Sequence, residues 1–234
     1  MAERLAMALA LSLLGRFSVH HDDDAVDVAP AGQQLLALTA LLGGSAQRSR
    51  LAGTLWPERS ETRSLSNLRG VLWRLPEVIR SALSTRDTAV SLGPDWRVDL
   101  ADVARAAERA HVEGEVDAHH RQLLHRDLLP DWDTDWLLVT RERHRQLRLH
   151  ALEELARHEL ECGNALDAVD TAMAALSAEP LRESAQLLVL RAHLAAGNRS
   201  SVIREFERFR DLLKRELDVD PSRQMIDTVE QAHR

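Results

Sequence analysis

The stretch RSRLAGTLWPERSETRSLSNLRGVLWRL, residues 48–75, decides how this chain is read. From Ser60 to Leu75 the spacing predicts a helix, with Ser60 as its N-cap after Pro57. At 100° per residue, Leu65, Leu68, Leu72 and Leu75 share one face. Arg63, Asn67, Gly70 and Arg74 share the opposite face in a narrow stripe. One side is suited to a core. The other carries no bulky apolar residue and offers donors with a fixed geometry. Arginine pairs bidentately with guanine, and asparagine with adenine, in the major groove. The stripe alone would also suit a solvated face, so the flanking segments carry weight.

Upstream, Arg48 to Trp56 reads as a short amphipathic helix with Leu51, Ala52, Leu55 and Trp56 turned inward, ended by Pro57. Ser49, between Arg48 and Arg50, lies at its N-terminus, where free backbone N–H groups favour phosphate. Residues 57–60 leave a helix-turn-helix spacing. Downstream, residues 82–85 and 89–92 can pair as a hairpin across Arg86-Asp87-Thr88. Helix, turn, helix and hairpin is the order of a winged helix. Residues 48–86 hold eight arginines against Glu58, Glu61 and Glu77, so +5 in a chain of net charge −7. A basic island in an acidic protein points to a polyanion partner. Arg63, Asn67 and Arg74 are the expected base readers. Arg48, Ser49, Arg50, Ser66, Arg69, Arg86 and Thr88 are the expected backbone or wing contacts.

Towards the N-terminus, Met1 to Leu14 is superficially like a signal peptide, but no Ala-x-Ala site follows and the apolar run is too short to span a bilayer. Leu9, Leu11, Leu13, Gly15, Phe17 and Val19 instead share the period of a strand with one buried face. Val26 to Val28 is the expected return strand, with His20-His21-Asp22-Asp23-Asp24 as the polar turn between them. That cluster lacks the fixed geometry a metal needs. A helix over Gln33 to Leu42 follows, stopped by Gly43-Gly44.

At 234 residues and 44% hydrophobic, the chain is long enough for two cores. Its one cysteine, Cys162, excludes an internal disulfide and suits a reducing cytoplasm; beside Gly163 in a helical pattern it reads as small core filler. Residues 1–99 carry 11 basic and 11 acidic groups, and the remainder 19 and 26. The expected division is therefore residues 1–99 and residues 100–234. In the second part Cys162-Gly163-Asn164 and Ala196-Gly197-Asn198 recur 34 residues apart, each between two amphipathic helices: 139–161 and 165–177, then 181–195 and 200–217. Pro180 and Pro221 close these units. A 34-residue helix-turn-helix period is the tetratricopeptide pattern, which presents a surface to protein partners. Helices over 103–111 and 116–125 read as a degenerate first unit. The expected fold class is mainly α with small β-sheet elements: a winged helix-turn-helix domain, then an all-α tetratricopeptide-like domain.

Residues 11–100 resemble the OmpR-type winged-helix domain, on Leu13-Leu14-Gly15-Arg16-Phe17, on Leu51 to Pro57 and on Ser66 to Leu75. Residues 100–234 resemble the bacterial transcriptional activator domain, on Glu179-Pro180-Leu181-Arg182-Glu183 and on Leu212 to Pro221. The two in this order are similar to the Streptomyces antibiotic regulatory protein family of activators. The resemblance implies that helix 60–75 enters the major groove and the wing touches backbone or minor groove. It implies two copies on direct repeats in promoters, a homodimer on DNA, and recruitment of RNA polymerase through the sigma factor, for a specialised-metabolite pathway. It also implies a bacterial cytoplasmic, nucleoid-associated protein. Glu58 and Glu61 just before the helix, Gly70 on its DNA face and Asp87 at the wing tip depart from a simple basic surface. The chain has no Walker pattern, no HExxH, no GxSxG and no Cys–His nucleophile pattern, so neither an enzyme nor a cofactor or metal is expected. His119, His120, His125, His144, His150 and His158 are read as helix-surface residues. The competing reading is a repeat adaptor whose winged domain binds protein.

Overall fold

In this computed structural model, residues 9–85, 88–114 and 116–233 are described. The chain divides into two compact units. One holds the described residues up to Ala101 together with Asp127–Glu142; the other holds Asp102–Arg126 and Arg143 onward. The division passes through two helices, α5 (Asp99–Val112) and α7 (Asp135–Glu161).

The first unit opens with β1 (Leu9–Ser12), β2 (Ser18–His21) and β3 (Asp24–Ala25). Period two holds in β1, whose Leu9 and Leu11 are buried. The return strand differs from expectation. It pairs Ala25 with His20 and Asp24 with His21, so both histidines lie in β2 and the turn shrinks to Asp22-Asp23. Asp22 takes the left-handed conformation there, φ 54°, which aspartate tolerates better than Val26 would. Helix α1 (Pro30–Leu41) starts on a proline, which needs no N–H in the first turn, and ends where Gly43 and Gly44 both turn left-handed. Then come β4 (Ser45–Gln47), α2 (Arg48–Leu55), α3 (Glu61–Arg74), α4 (Glu77–Ala82), β5 (Leu83–Ser84), β6 (Ala89–Leu92) and β7 (Trp96–Val98). One sheet has the order β3-β2-β1-β7, with β7 parallel to β1; the other is β4-β6-β5.

The winged unit is not confined to residues 1–99. Residues 127–142 return to it. Leu14 bridges Leu128, the Gly15 amide donates to Asp127 O at 2.7 Å, and the Leu129 amide donates to Leu13 O at 2.9 Å. Leu128, Leu129 and Leu137 are fully buried in the core that β1, α1 and α3 share. Trp132 stacks on Phe17 with centroids 5.8 Å apart, and Trp136 meets Trp132 edge-on. The Arg141 guanidinium donates to the carbonyls of Leu128, Leu129 and Trp132. A net-charge boundary does not reveal such a return, because the segment is acidic like the rest of the second half and the leucines and tryptophans that bury it carry no charge.

The second unit is helical: the rest of α5, then α6 (Ala118–Leu124), the rest of α7, α8 (Ala165–Ala178), α9 (Glu183–Ala195), α10 (Arg199–Leu217) and α11 (Arg223–His233). The 34-residue repeat holds at the level of single bonds. Asn164 N donates to Glu159 O and Asn198 N to His193 O, both at 2.8 Å. Asn164 and Asn198 share φ −85° and ψ 59°. Gly163 and Gly197 are both left-handed, at φ 81° and 73°, a conformation that costs a residue with a Cβ about 1 kcal/mol or more. Helix α11, which the repeat pattern did not predict, packs on α9 and α10 and buries Met225, Val229 and Ala232. Two single-residue readings also change. Cys162 is exposed rather than core filler, with its Sγ 3.4 Å from His158 Nε2. His144 is buried, with Nε2 3.2 Å from Arg126 O. Within this unit Glu153 is nearly enclosed and takes paired bonds from Arg182 Nε and Nη2 at 2.7 and 2.8 Å, besides one from Ser184. The fold class is the expected one: mainly α, small sheets, a winged helix-turn-helix and a tetratricopeptide-like array.

Candidate nucleic-acid interface

The winged unit builds this surface from α2, α3 and the β5–β6 hairpin. The turn between α2 and α3 is fixed from inside. Ser64, buried, donates its hydroxyl to Trp56 O at 3.2 Å, and the Arg59 amide donates to the same carbonyl at 3.1 Å. Leu68, Val71 and Leu75 are buried, with Leu65 and Leu72 partly so. The leucine face thus points to the core, and this fixes what α3 shows to solvent.

The exposed side shows Arg63, Ser66, Asn67, Arg69, Trp73 and Arg74. Arg63, Asn67 and Arg74 have no side-chain hydrogen bond or ion pair among the described residues. They stand free on one stripe, available to base edges or phosphates. A Cβ built on Gly70 would lie 3.7 Å from both terminal nitrogens of Arg74 and 3.9 Å from its Cζ, ordinary van der Waals contact. The Arg74 guanidinium thus lies across the helix surface over Gly70, at a distance that a methyl group there would also tolerate.

Arg48, Ser49 and Arg50 lie at the N-terminus of α2 as expected, but in different settings. Ser49 and Arg50 are exposed. Arg48 is half-buried and tied to the wing: its Nη2 donates to Thr85 O at 2.9 Å and its backbone amide donates to Thr88 O at 2.7 Å. It holds the hairpin against α2 rather than projecting from it. Thr88 in turn donates to Gln47 Oε1 at 2.6 Å. Arg86 and Asp87, at the expected wing tip, lie outside the described residues. The hairpin itself forms between β5 and β6, and β6 also pairs with β4. A three-residue strand between a Gly-Gly stop and a helix carries too little periodicity to be read in sequence. Between α3 and the hairpin lies a cavity of about 300 Å³, lined by Arg48, Ser49, Leu65, Arg69, Leu72 and Thr88 among others.

Trp73 was missed by the stripe analysis. Its side chain is 79% exposed, the most exposed large hydrophobic residue of the described chain. Arg80 of α4 sits over its ring at 5.5 Å, donates to Trp73 O at 3.1 Å and pairs with Glu77. An arginine over indole is a favourable cation–π arrangement, and here it also covers a carbonyl at the helix C-terminus. The available signal was position: Trp73 adjoins Arg74 and lies three residues after Gly70, on the solvent side of the wheel. Among the described residues no helix is long and apolar enough to cross a membrane.

Comparison with known proteins places this architecture. The bacterial transcriptional activator domain family matches residues 98–231. The regulatory protein AfsR of Streptomyces coelicolor is 30% identical over 230 residues, covering 92% of this chain and 23% of AfsR. AfsR of Streptomyces griseus is 29% identical over 210 residues, covering 81% of this chain and 21% of that protein. The chain therefore spans less than a quarter of the length of these relatives. A solved structure of Mycobacterium tuberculosis EmbR, in complex with a low-affinity phosphopeptide, has a TM-score of 0.72 at 18% identity, over 96% of this chain and 65% of that one. At that identity it establishes a shared fold. The matched family is regulatory rather than enzymatic. With a winged helix preceding the matched domain, the chain belongs to the bacterial transcriptional activator domain family, as a regulator of the Streptomyces antibiotic regulatory protein type.

Proposed function

We propose that this protein is a sequence-specific DNA-binding transcriptional activator, with α3 in the major groove. One observation carries the reading: Arg63, Asn67 and Arg74 stand exposed, with no side-chain partner among the described residues, opposite a buried leucine face and inside a +5 segment of a −7 chain. Arg63 and Arg74 suit guanine and Asn67 suits adenine. Ser49 and Arg50 at the N-terminus of α2, with Ser66 and Arg69 on the flank of α3, suit phosphate. Arg48 serves by holding the wing, to which Thr88 belongs, and Arg86 is a further backbone contact in this reading. The helical unit supplies protein contacts, between two copies on promoter direct repeats and towards RNA polymerase and its sigma factor, in the bacterial cytoplasm. The pathway regulated is a specialised-metabolite one. A gel shift over a salt series tests the DNA reading: affinity should fall steeply with salt, as counterion release requires. A salt-independent interaction would point elsewhere.

A second reading has a specific observation behind it. The exposed Trp73 and the leucine-lined cavity beside α3 offer apolar surface of the kind a protein partner would cover. If the winged unit retains a protein and shows no salt-dependent affinity for DNA, the chain is an adaptor.

A further inference from the structure

The helical unit brings together a histidine pair that the sequence separates by 39 residues. His111 lies in the last turn of α5, and His150 on α7 faces it, ring centroids 6.0 Å apart. Glu154, one turn beyond His150, completes the group. One ligand atom from each of the three lies within 4.8 Å of the others. Glu154 is already oriented. Its Oε2 takes an ion pair from Arg157 Nη1 at 2.7 Å, while its Oε1 lies 4.0 Å from His150 Nε2. A cavity of about 230 Å³ adjoins, bordered by His111, Glu154 and His158.

From this geometry we infer that His111, His150 and Glu154 bind a divalent transition-metal ion, with zinc the best fit. Two imidazole nitrogens and one carboxylate oxygen suit zinc and its neighbours, whereas magnesium and calcium favour oxygen ligands. The spacing of four residues puts His150 and Glu154 on one face of α7, and His111 approaches from a separate helix. Small rotamer changes bring the three atoms to metal-bond distance, and the fourth position stays open to solvent. The carboxylate oxygen not used for the metal is held by Arg157, the kind of outer contact that fixes a ligand's orientation. A bound ion fastens the end of α5 to α7 and closes a long loop in the helical unit. This inference is independent of the DNA reading, since none of its residues belongs to the winged unit.

The test is titration of the full chain, free of any affinity tag, with zinc chloride by calorimetry and with cobalt chloride by visible absorption. One ion per chain is expected, with a rise in the unfolding temperature on adding zinc. His111→Ala, His150→Ala and Glu154→Gln should each weaken binding at least about tenfold and abolish the thermal shift. These side chains are exposed or half-exposed, so the metal-free variants should match the parent in helical circular dichroism. Cys162→Ser and His158→Ala should leave affinity and stoichiometry unchanged. Binding that survives His111→Ala and His150→Ala, or that disappears with Cys162→Ser, overturns the assignment.

Discussion

Arg63, Asn67 and Arg74 make no side-chain hydrogen bond or ion pair among the described residues, so removing any of them should leave the fold in place. Substituting any of them by alanine should weaken binding to a specific site by about 1–3 kcal/mol and leave the unfolding transition in place; unchanged affinity in all three would refute the placement of α3. Arg50→Ala should instead weaken every sequence alike and flatten the salt dependence by about one unit. The opposite kind of residue is Glu153, enclosed and bonded by Arg182 and Ser184. Burial by itself would raise its carboxyl, but the hydrogen bonds from Arg182 and Ser184 and the charges of Arg182 and Arg157 hold it below the ordinary glutamate value. Its folded pKa is thus depressed, so its contribution to stability is present above the ordinary glutamate range and is lost as pH falls through the folded value. Glu153→Ala leaves the partly buried Arg182 without its paired carboxylate and should destabilise by about 1.5–3 kcal/mol; denaturant unfolding at neutral pH measures it, and the gap from the parent should narrow in acid.

Among the elements, the wing depends on one crowded carbonyl. Ala82 O accepts from the Gly93 amide at 3.1 Å and from the Trp96 indole at 3.1 Å. A Cβ on Gly93 would come within 2.7 Å of that oxygen, closer than backbone can tolerate. Gly93→Ala should therefore push β5 from β6 and destabilise by about 1–3 kcal/mol, read as a lowered unfolding temperature and a weaker DNA interaction. Helix α6 depends on its cap. Asp117 accepts from the His120 amide at 3.0 Å and from the His120 ring at 2.7 Å, and its carboxyl is lowered from 3.8 to about 2. A depressed carboxyl holds its cap above 3.8 and loses it as pH falls towards about 2. The His120 amide should exchange faster across that window, and in Asp117→Ala that pH step should vanish. These elements were unevenly legible. The leucine face of α3 and the paired glycine turns repeat at fixed spacing, so period alone reveals them. β4 and α11 were not found, because a three-residue strand has no period and α11 follows the proline taken to end the array.

For the whole molecule, the return of residues 127–142 changes what a fragment carrying the winged unit must contain. A fragment ending at residue 100 lacks Leu128, Leu129 and Leu137, each fully buried, and each worth about 1.5–3 kcal/mol of transfer from water. It should be markedly less stable than a fragment ending at residue 142, and the comparison by thermal unfolding is direct; equal stability would show that the returning segment is dispensable. The functional division of labour remains a separate question. If the helical unit joins two copies, the full chain should occupy a two-repeat site more steeply than the 142-residue fragment, because a bound neighbour raises the effective concentration of the second copy. Gel shifts on one and two repeats, paired with transcription in vitro, separate these outcomes.

By itself the sequence determined whatever rests on local periodicity: β1 at period two, the leucine face of α3 with its arginine and asparagine stripe, and the glycine turns of the helical array. Each is a short-range property, since a residue and its neighbours one turn or one pleat away already fix which side is buried. Tertiary structure decided the rest. It returned residues 127–142 to the first core and tied Arg48 to the wing through Thr85 O. It buried His144, exposed Cys162 and brought His111 beside His150. Most of these depend on pairings between residues distant in sequence, and a single chain's composition carries no record of which distant partner satisfies which hydrogen bond or fills which gap.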